Sequence, residues 1–246
     1  MRVAALSDLH IGLDGRTDAF GHDATAFASF LDRLLATHDR VVLLGDVFTA
    51  DHAALWGPSH ARAHLQRILV RVPWLADRLA GPRVHYVHGN HDLVARDVLG
   101  AAERIVLARG AIRVLFIHGH QFDPIARRAL RLAQAGTWGT GRLRAARAPV
   151  VAQWLEDRDV AIKDARFRGA MGPYARAAER LCREENLSAV VMGHTHAARV
   201  DAVEHGVSLN TGTCSGGRHD VLSLDLETGQ GTLRRGFERI PVSLLK

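Results

Sequence analysis

Five short polar clusters, each at the end of an apolar run, hold the residues best suited to chemistry in this chain. They are Ser7-Asp8-Leu9-His10, Gly45-Asp46, Gly89-Asn90-His91-Asp92, His118-Gly119-His120 and Gly193-His194-Thr195-His196. Together they offer carboxylates, imidazoles and a carboxamide, without a thiolate. Gathering so many Asp and His side chains in one buried place is costly unless they are paired, and metal cations are the usual compensation. The donor types suit Mn²⁺, Fe²⁺, Co²⁺ or Zn²⁺ in an expanded shell better than a tetrahedral structural zinc, and ligand type alone does not choose among them. The set exceeds what one ion needs. Two divalent ions about 3.5 to 4 Å apart, spanned by a carboxylate, are the arrangement used for hydrolysis at phosphorus.

The elements that would position these clusters are legible as short β-branched runs: Val3 to Leu6, Val41 to Leu44, Val84 to Val87, Ile112 to Ile117 and Ala189 to Met192. Each reads as a buried strand. Between them, Phe27, Phe30, Leu31, Leu34 and Leu35, then Leu65, Ile68, Leu69 and Val72, follow the spacing of amphipathic helices. The alternation predicts an α/β layered fold with parallel crossovers, in which loops beyond the carboxyl ends of the strands converge on one crevice. From Val207 to Phe237, three short strand-like runs separated by turn signals such as Glu227-Thr228-Gly229 predict a β-meander. Between about residues 122 and 186 the strand rhythm stops, and several helical stretches, including Tyr174, Ala177, Ala178, Leu181 and Cys182, predict an inserted helical cap.

The ordered clusters from Asp8 to His196 resemble the calcineurin-like metallophosphoesterase family. The resemblance implies a four-layer α/β/β/α sandwich with a helical cap and a di-metal centre. By that analogy Asp8, His10 and His196 hold one ion, Asn90, His118 and His194 hold the other, and Asp46 bridges them. His91 is then a non-ligand that donates a hydrogen bond or proton to the transferring phosphoryl group or leaving oxygen, and Asp92 can orient its imidazole. A water or hydroxide shared by two cations has its pKa lowered towards neutrality, so a nucleophile for attack on phosphorus exists at pH 7. Manganese is the expected metal.

Within the family, the insert after His118-Gly119, the run Gly45-Asp46-Val47-Phe48 and the ending Asn210-Thr211-Gly212 resemble the UDP-2,3-diacylglucosamine pyrophosphohydrolases of lipid A synthesis. That branch uses its insert to hold acyl chains; it typically has Arg where this chain has His91, and Asp where it has His120. The expected activity is hydrolysis of a phosphoester or pyrophosphate bond, with UDP-2,3-diacylglucosamine as a specific candidate. A phosphodiesterase or phosphatase acting on nucleotides or nucleic acid, and a non-catalytic scaffold with the same fold, are the alternatives.

At 246 residues, 47% hydrophobic, 24% charged and 6% aromatic, the chain fits one globular domain with an insertion and excludes disorder and collagen. No run approaches the roughly 18 to 20 apolar residues of a membrane span, and Met1-Arg2 leads straight into a strand-like run, so a cytoplasmic protein is expected. Cys182 and Cys214 are too few for a disulfide framework. Basic residues exceed acidic ones by 32 to 26, nearly all of them arginine. The most basic stretch carries Arg127, Arg128, Arg131, Arg142, Arg144 and Arg147 without an intervening carboxylate. It reads as a solvated helical face, as a phosphate or head-group contact, or as a surface for an anionic membrane or nucleic acid. With Trp138 as its one aromatic, it offers no stacking platform, so nucleic acid is the weaker partner. Arg127, Arg128, Arg131 and His120 are the candidate contacts to a phosphorylated small-molecule or lipid-linked substrate, with peripheral contact at an inner membrane. Gly212-Thr213-Cys214-Ser215-Gly216 matches a nucleophile elbow superficially, but a strand-like run follows where the elbow needs a helix.

Overall fold

The computed structural model describes residues 1–14, 18–123, 135, 136, 138, 139, 141–143, 146, 151, 158, 161, 169 and 172–245. Two sheets face each other. The first runs in the order β11-β10-β9-β1-β2-β3, with β1 Arg2–Leu6, β2 Arg40–Leu44, β3 Val84–Val87, β9 Val221–Asp225, β10 Gln230–Arg235 and β11 Glu238–Ser243. The second runs β4-β5-β6-β8-β7, with β4 Arg104–Arg109, β5 Ile112–Ile117, β6 Ala189–Met192, β7 Arg199–Val203 and β8 Gly206–Asn210. β1, β2 and β3 are parallel with Ala4 opposite Val41 and Val42 opposite His85; β5, β6 and β8 are parallel with Val114 opposite Ala189 and Val190 opposite Ser208.

Strand alternation sorts the apolar residues into layers. Val3, Ala5, Val42 and Leu44 of the first sheet meet Val114, Phe116, Ala189, Val191 and Leu209 of the second in a core between the sheets. The opposite face of the first sheet, through Ala4, Leu6, Val41 and Leu43, packs on Phe27, Phe30, Leu31 and Leu34 of helix α1 (Ala24–Thr37) and on Leu65 and Ile68 of α2 (Pro58–Arg71). Leu115, Ile117, Val190 and Met192 on the outer face of the second sheet pack on Tyr174, Ala178 and Cys182 of α5 (Pro173–Glu185). The result is the expected α/β/β/α sandwich, in which the shorter helices α3 (Pro73–Leu79) and α4 (Ala95–Leu99) follow α2 and β3. Local chemistry sets the helix ends. The Asp23 carboxylate accepts the Ala26 amide at 2.8 Å and starts α1, while Pro73 separates α2 from α3.

Two expectations change. The last strands do not form one meander from Val207 to Phe237: β8 joins the second sheet beside β6, and the antiparallel meander is β9-β10-β11, reaching Ser243. A run buried on both faces pairs wherever the core lies, whatever its sequence neighbours. The segment expected as a cap ends in α5, which packs over the second sheet; most of the rest of 122–186 lies outside the described residues.

Phe116 is fully buried between the sheets. Phe116→Ala should destabilise the fold by about 3–5 kcal/mol, read as a lower midpoint in chemical denaturation with little change in slope.

Candidate metal centre

All five polar clusters leave the carboxyl ends of parallel strands, the first three from one sheet and the last two from the other. Their backbone is unusual. Asp8, His10, Asp46, His194 and His196 all take positive φ, between 50° and 69°; the sixth such non-glycine among the described residues is Asn186, at the end of α5. Left-handed backbone away from glycine gathers at functional sites, where surrounding contacts hold it. Here the holding contacts are main-chain bonds between loops: the Asp8, His10 and Ile11 amides donate to the Gly45, Asp46 and Val47 carbonyls, each at 3.0 Å. Two glycines are demanded by close approach. A Cβ on Gly45 (φ +83°) would lie 2.2 Å from His118 Nδ1, and one on Gly89 would lie 2.2 Å from Asp46 Oδ1.

Two groups of ligand atoms result. In the first, His10 Nε2 and His196 Nε2 lie 3.2 Å apart and stand 3.9 and 3.2 Å from Asp8 Oδ1. In the second, Asp46 Oδ2 lies 3.1 Å from His118 Nε2, and Asp46, His118 and His194 bring one ligand atom each within 4.8 Å of one another. Asp46 also acts electrostatically on both Asp8 and His10 of the first group. Asn90 sits in the loop whose next amide, that of His91, donates to Asp46 Oδ1 at 2.8 Å.

Charge and burial prepare these atoms for cations. Burial alone would raise the Asp8 carboxyl, but His196 and His118 outweigh it and hold the pKa at about 2. The same contest, decided by His118, His91 and His10, holds Asp46 well below the usual carboxylate range. Burial, with His91 and His196, pushes His10 down to about 3, so its ring is neutral and keeps a lone pair. Burial opposes charge on His118 too, but Asp46 and Asp8 prevail and raise it to about 9. Its Nδ1 donates to the Leu44 carbonyl at 2.8 Å, which aims Nε2 at Asp46. Asn90 Oδ1 is buried without a hydrogen-bond partner, while Asp8 Oδ1 faces His196 Nε2 at 3.2 Å and His118 Nε2 faces Asp46 Oδ2 at 3.1 Å. Buried carboxylate, carboxamide and imidazole atoms brought together in this way fit a pair of oxygen- and nitrogen-ligated divalent ions.

His91 stands beside this centre, its ring edge-on to that of His10 with centroids 4.9 Å apart. Asp92 does not orient it. That carboxylate is fully buried and accepts the Val47 amide at 2.7 Å, the Phe48 amide at 3.2 Å, the Tyr86 hydroxyl at 2.6 Å and the Gly89 amide at 2.6 Å. Asp92 thus ties the Asp46 loop to the Asn90 loop, and its four donors leave it no place on the imidazole. Asp51 takes that role, accepting from His91 Nδ1 at 3.0 Å. His120 lies beside the second group, its ring 5.5 Å from that of His118; burial and the neighbouring His118 and His194 push it down to about 2, so it is a neutral neighbour. Arg127, Arg128 and Arg131 lie outside the described residues. Arg142 is described, and its guanidinium donates to the His52 carbonyl at 2.5 Å.

Two functional candidates escape the sequence reading: Asp51, and the buried Asp123, whose Oδ2 lies 3.1 Å from His194 Nε2. Asp51 carries a weak signal as a carboxylate in the loop after β2. Asp123 carries only its nearness to His118 in the chain.

The Asp46–His118 pair makes metal binding depend on pH. His118 is raised from 6.5 to about 9, so it is protonated at neutral pH, and its contribution to the metal-free fold is full below about 6.5 and lost as pH rises through 9. A cation on this group must displace that proton. Affinity at this group should therefore climb by up to about tenfold per pH unit from 7 towards 9 and then level off, and calorimetry in buffers of different ionisation enthalpy should show about one proton released at pH 7 by the ion that binds there.

Comparison with known proteins agrees with this geometry. The calcineurin-like phosphoesterase family pattern matches residues 1–198. A UDP-2,3-diacylglucosamine hydrolase of Chromohalobacter salexigens is 26% identical over 217 residues, covering 80% of each chain. Among solved structures, wild-type Vps29 of Entamoeba histolytica complexed with zinc aligns over 100% of both chains with a TM-score of 0.50 at 18% identity. A single mutant of that Vps29 aligns over 98% of both with a TM-score of 0.50 at 17% identity. Those two likenesses concern the fold. With its motifs, sandwich and paired ligand groups accounted for across most of its length, the chain belongs to the calcineurin-like phosphoesterase family.

Proposed function

We propose that this protein is a di-metal hydrolase of a phosphoester or pyrophosphate bond, with manganese as its working metal. The observation that carries the reading is the pair of converging ligand groups, Asp8/His10/His196 and Asp46/His118/His194, with His91 beside them. Asn90 would complete the second group, and Asp46 would serve both. Two bound divalent ions would supply Lewis-acid stabilisation of charge on phosphoryl oxygens and a nucleophile at neutral pH. The chain's own residues do the rest. Asp51 fixes His91 Nδ1 as a donor, which leaves Nε2 to exchange a proton with a phosphoryl or leaving oxygen. Asp92 holds the Asp46 and Asn90 loops together through its four bonds.

The substrate we propose is a UDP-linked diacylated sugar such as UDP-2,3-diacylglucosamine, supported by the relative from Chromohalobacter salexigens and by the segment between His118 and His194 in which the arginines concentrate. Hydrolysis of that substrate would place the protein in the cytoplasm, peripheral to the inner membrane. No helix among the described residues is long and apolar enough to cross a membrane. A nucleotide phosphodiesterase is the second reading, favoured by His91, the residue type at which this chain departs from the acylglucosamine branch.

Metal-stripped protein reconstituted with Mn²⁺ should be offered bis-p-nitrophenyl phosphate, p-nitrophenyl phosphate, a cyclic nucleotide, a UDP-sugar and UDP-2,3-diacylglucosamine. Turnover should require metal and vanish in Asp46→Ala, with the acylated UDP-sugar preferred; preference for the cyclic nucleotide would favour the second reading, and failure to bind metal would end both. His91→Ala should lower kcat by about 10²–10⁴-fold with metal still bound, and Asp51→Asn should lower it less.

A further inference from the structure

We infer that Asp123 is a positioning residue that fixes which nitrogen of His194 is available to the second ion. The inference rests on the reading that Asp46, His118 and His194 hold an ion. A carboxylate only accepts, so at 3.1 Å the proton lies on His194 Nε2, and the lone pair belongs to Nδ1. Asp123 does not itself join the three residues whose ligand atoms lie within 4.8 Å of one another, although it touches His194. The His194 backbone is fixed from the other side, where its amide donates to Asp8 Oδ2 at 3.1 Å and its φ is +69°. Ring and backbone are therefore anchored separately.

His118 shows the same device with a different anchor. Its non-ligand nitrogen, Nδ1, donates to a main-chain carbonyl, and Nε2 faces Asp46. The two imidazoles of this group thus present opposite nitrogens, His118 through Nε2 and His194 through Nδ1. A carboxylate behind a ligand imidazole makes it a better donor than a neutral carbonyl does, so Asp123 should strengthen the second ion's hold specifically. Asp123 is buried, at 3% exposure, and this contact gives its charge a purpose that packing does not require.

The test is stepwise titration of metal-stripped protein with Mn²⁺ by calorimetry, with His10→Ala and His118→Ala marking which step belongs to which group. In Asp123→Ala the step lost in His118→Ala should weaken by about 10–100-fold while the other stays as in wild type. Asp123→Asn, which keeps a carbonyl acceptor, should recover part of the loss, and the thermal midpoint of the metal-free protein should change little. Two equally retained steps in Asp123→Ala would overturn the role of Asp123 alone, as would equal weakening of both. Complete loss of the step would make Asp123 a ligand and overturn the positioning role. Wild type binding fewer than two ions would overturn the two-ion reading and this inference with it. The wild-type protein gives an independent reading: with Zn²⁺ bound, imidazole nitrogen resonances should show His194 metallated at Nδ1 and protonated at Nε2, and metal at Nε2 would refute the assignment.

Discussion

The contact between Asp46 and His118 is the one on which the rest of this structure depends. Asp46 follows β2 of the first sheet and His118 follows β5 of the second, so their 3.1 Å approach joins the two halves at the centre of a polar seam that also includes the His118 bond to the Leu44 carbonyl and the His194 amide bond to Asp8. Everything around Asp46 is arranged to hold that carboxylate still. Its carbonyl accepts from His10, one carboxylate oxygen accepts from His91, and Gly89 has no side chain because Asp46 occupies the space. A buried carboxylate and a buried imidazole set face to face share a proton when no cation is present. The same pair, losing that proton, offers two donors to one ion. Sandwich geometry, loop glycines and proton affinity thus converge on a single place.

How much of this was legible in the sequence follows from burial. The central strands β1, β2, β5 and β6 stand out as continuous apolar runs because both of their faces are covered. β4 and β7 lie at the two edges of the second sheet, and their half-exposed residues, Arg104 and Arg109 at the ends of one and Arg199 and Asp201 within the other, dilute any pattern. β11 hides behind Pro241, which an edge strand tolerates and a central one does not. The sheet to which β8 belongs was not legible either, since an apolar run records that it is buried and not against what.

The site divides in the same way. Asp8, His10, Asp46, Asn90, His118, His194 and His196 are visible because each follows a visible strand, and strand order delivers them to one end of the sandwich. Residues that act through another residue are invisible, because no fixed spacing relates them to it. Asp51 reaches His91 across forty positions, and Asp123 reaches His194 across seventy-one. Asp92 shows the opposite failure. Adjacency to His91 suggested a partnership, yet the two neighbouring side chains are committed to different places, one to Asp51 and the other to the amides and the hydroxyl that join two loops.

The energetic consequence is that the centre is built against the stability of the empty fold. Asn90 Oδ1 is buried without a hydrogen-bond partner, and an orphaned buried polar atom costs about 1–3 kcal/mol. Five residues in left-handed backbone add conformational cost at the same place. The two-sheet core offsets these terms from a distance, which is why the polar loops can remain strained at the edge of so apolar an interior. A divalent ion that satisfies the orphaned atom relieves the first cost directly, so its binding energy appears in part as folding energy. Geometry that is expensive without the ion and relaxed with it favours the bound state, and it does so only while Asp92 holds the two ligand loops together and Asp123 holds His194.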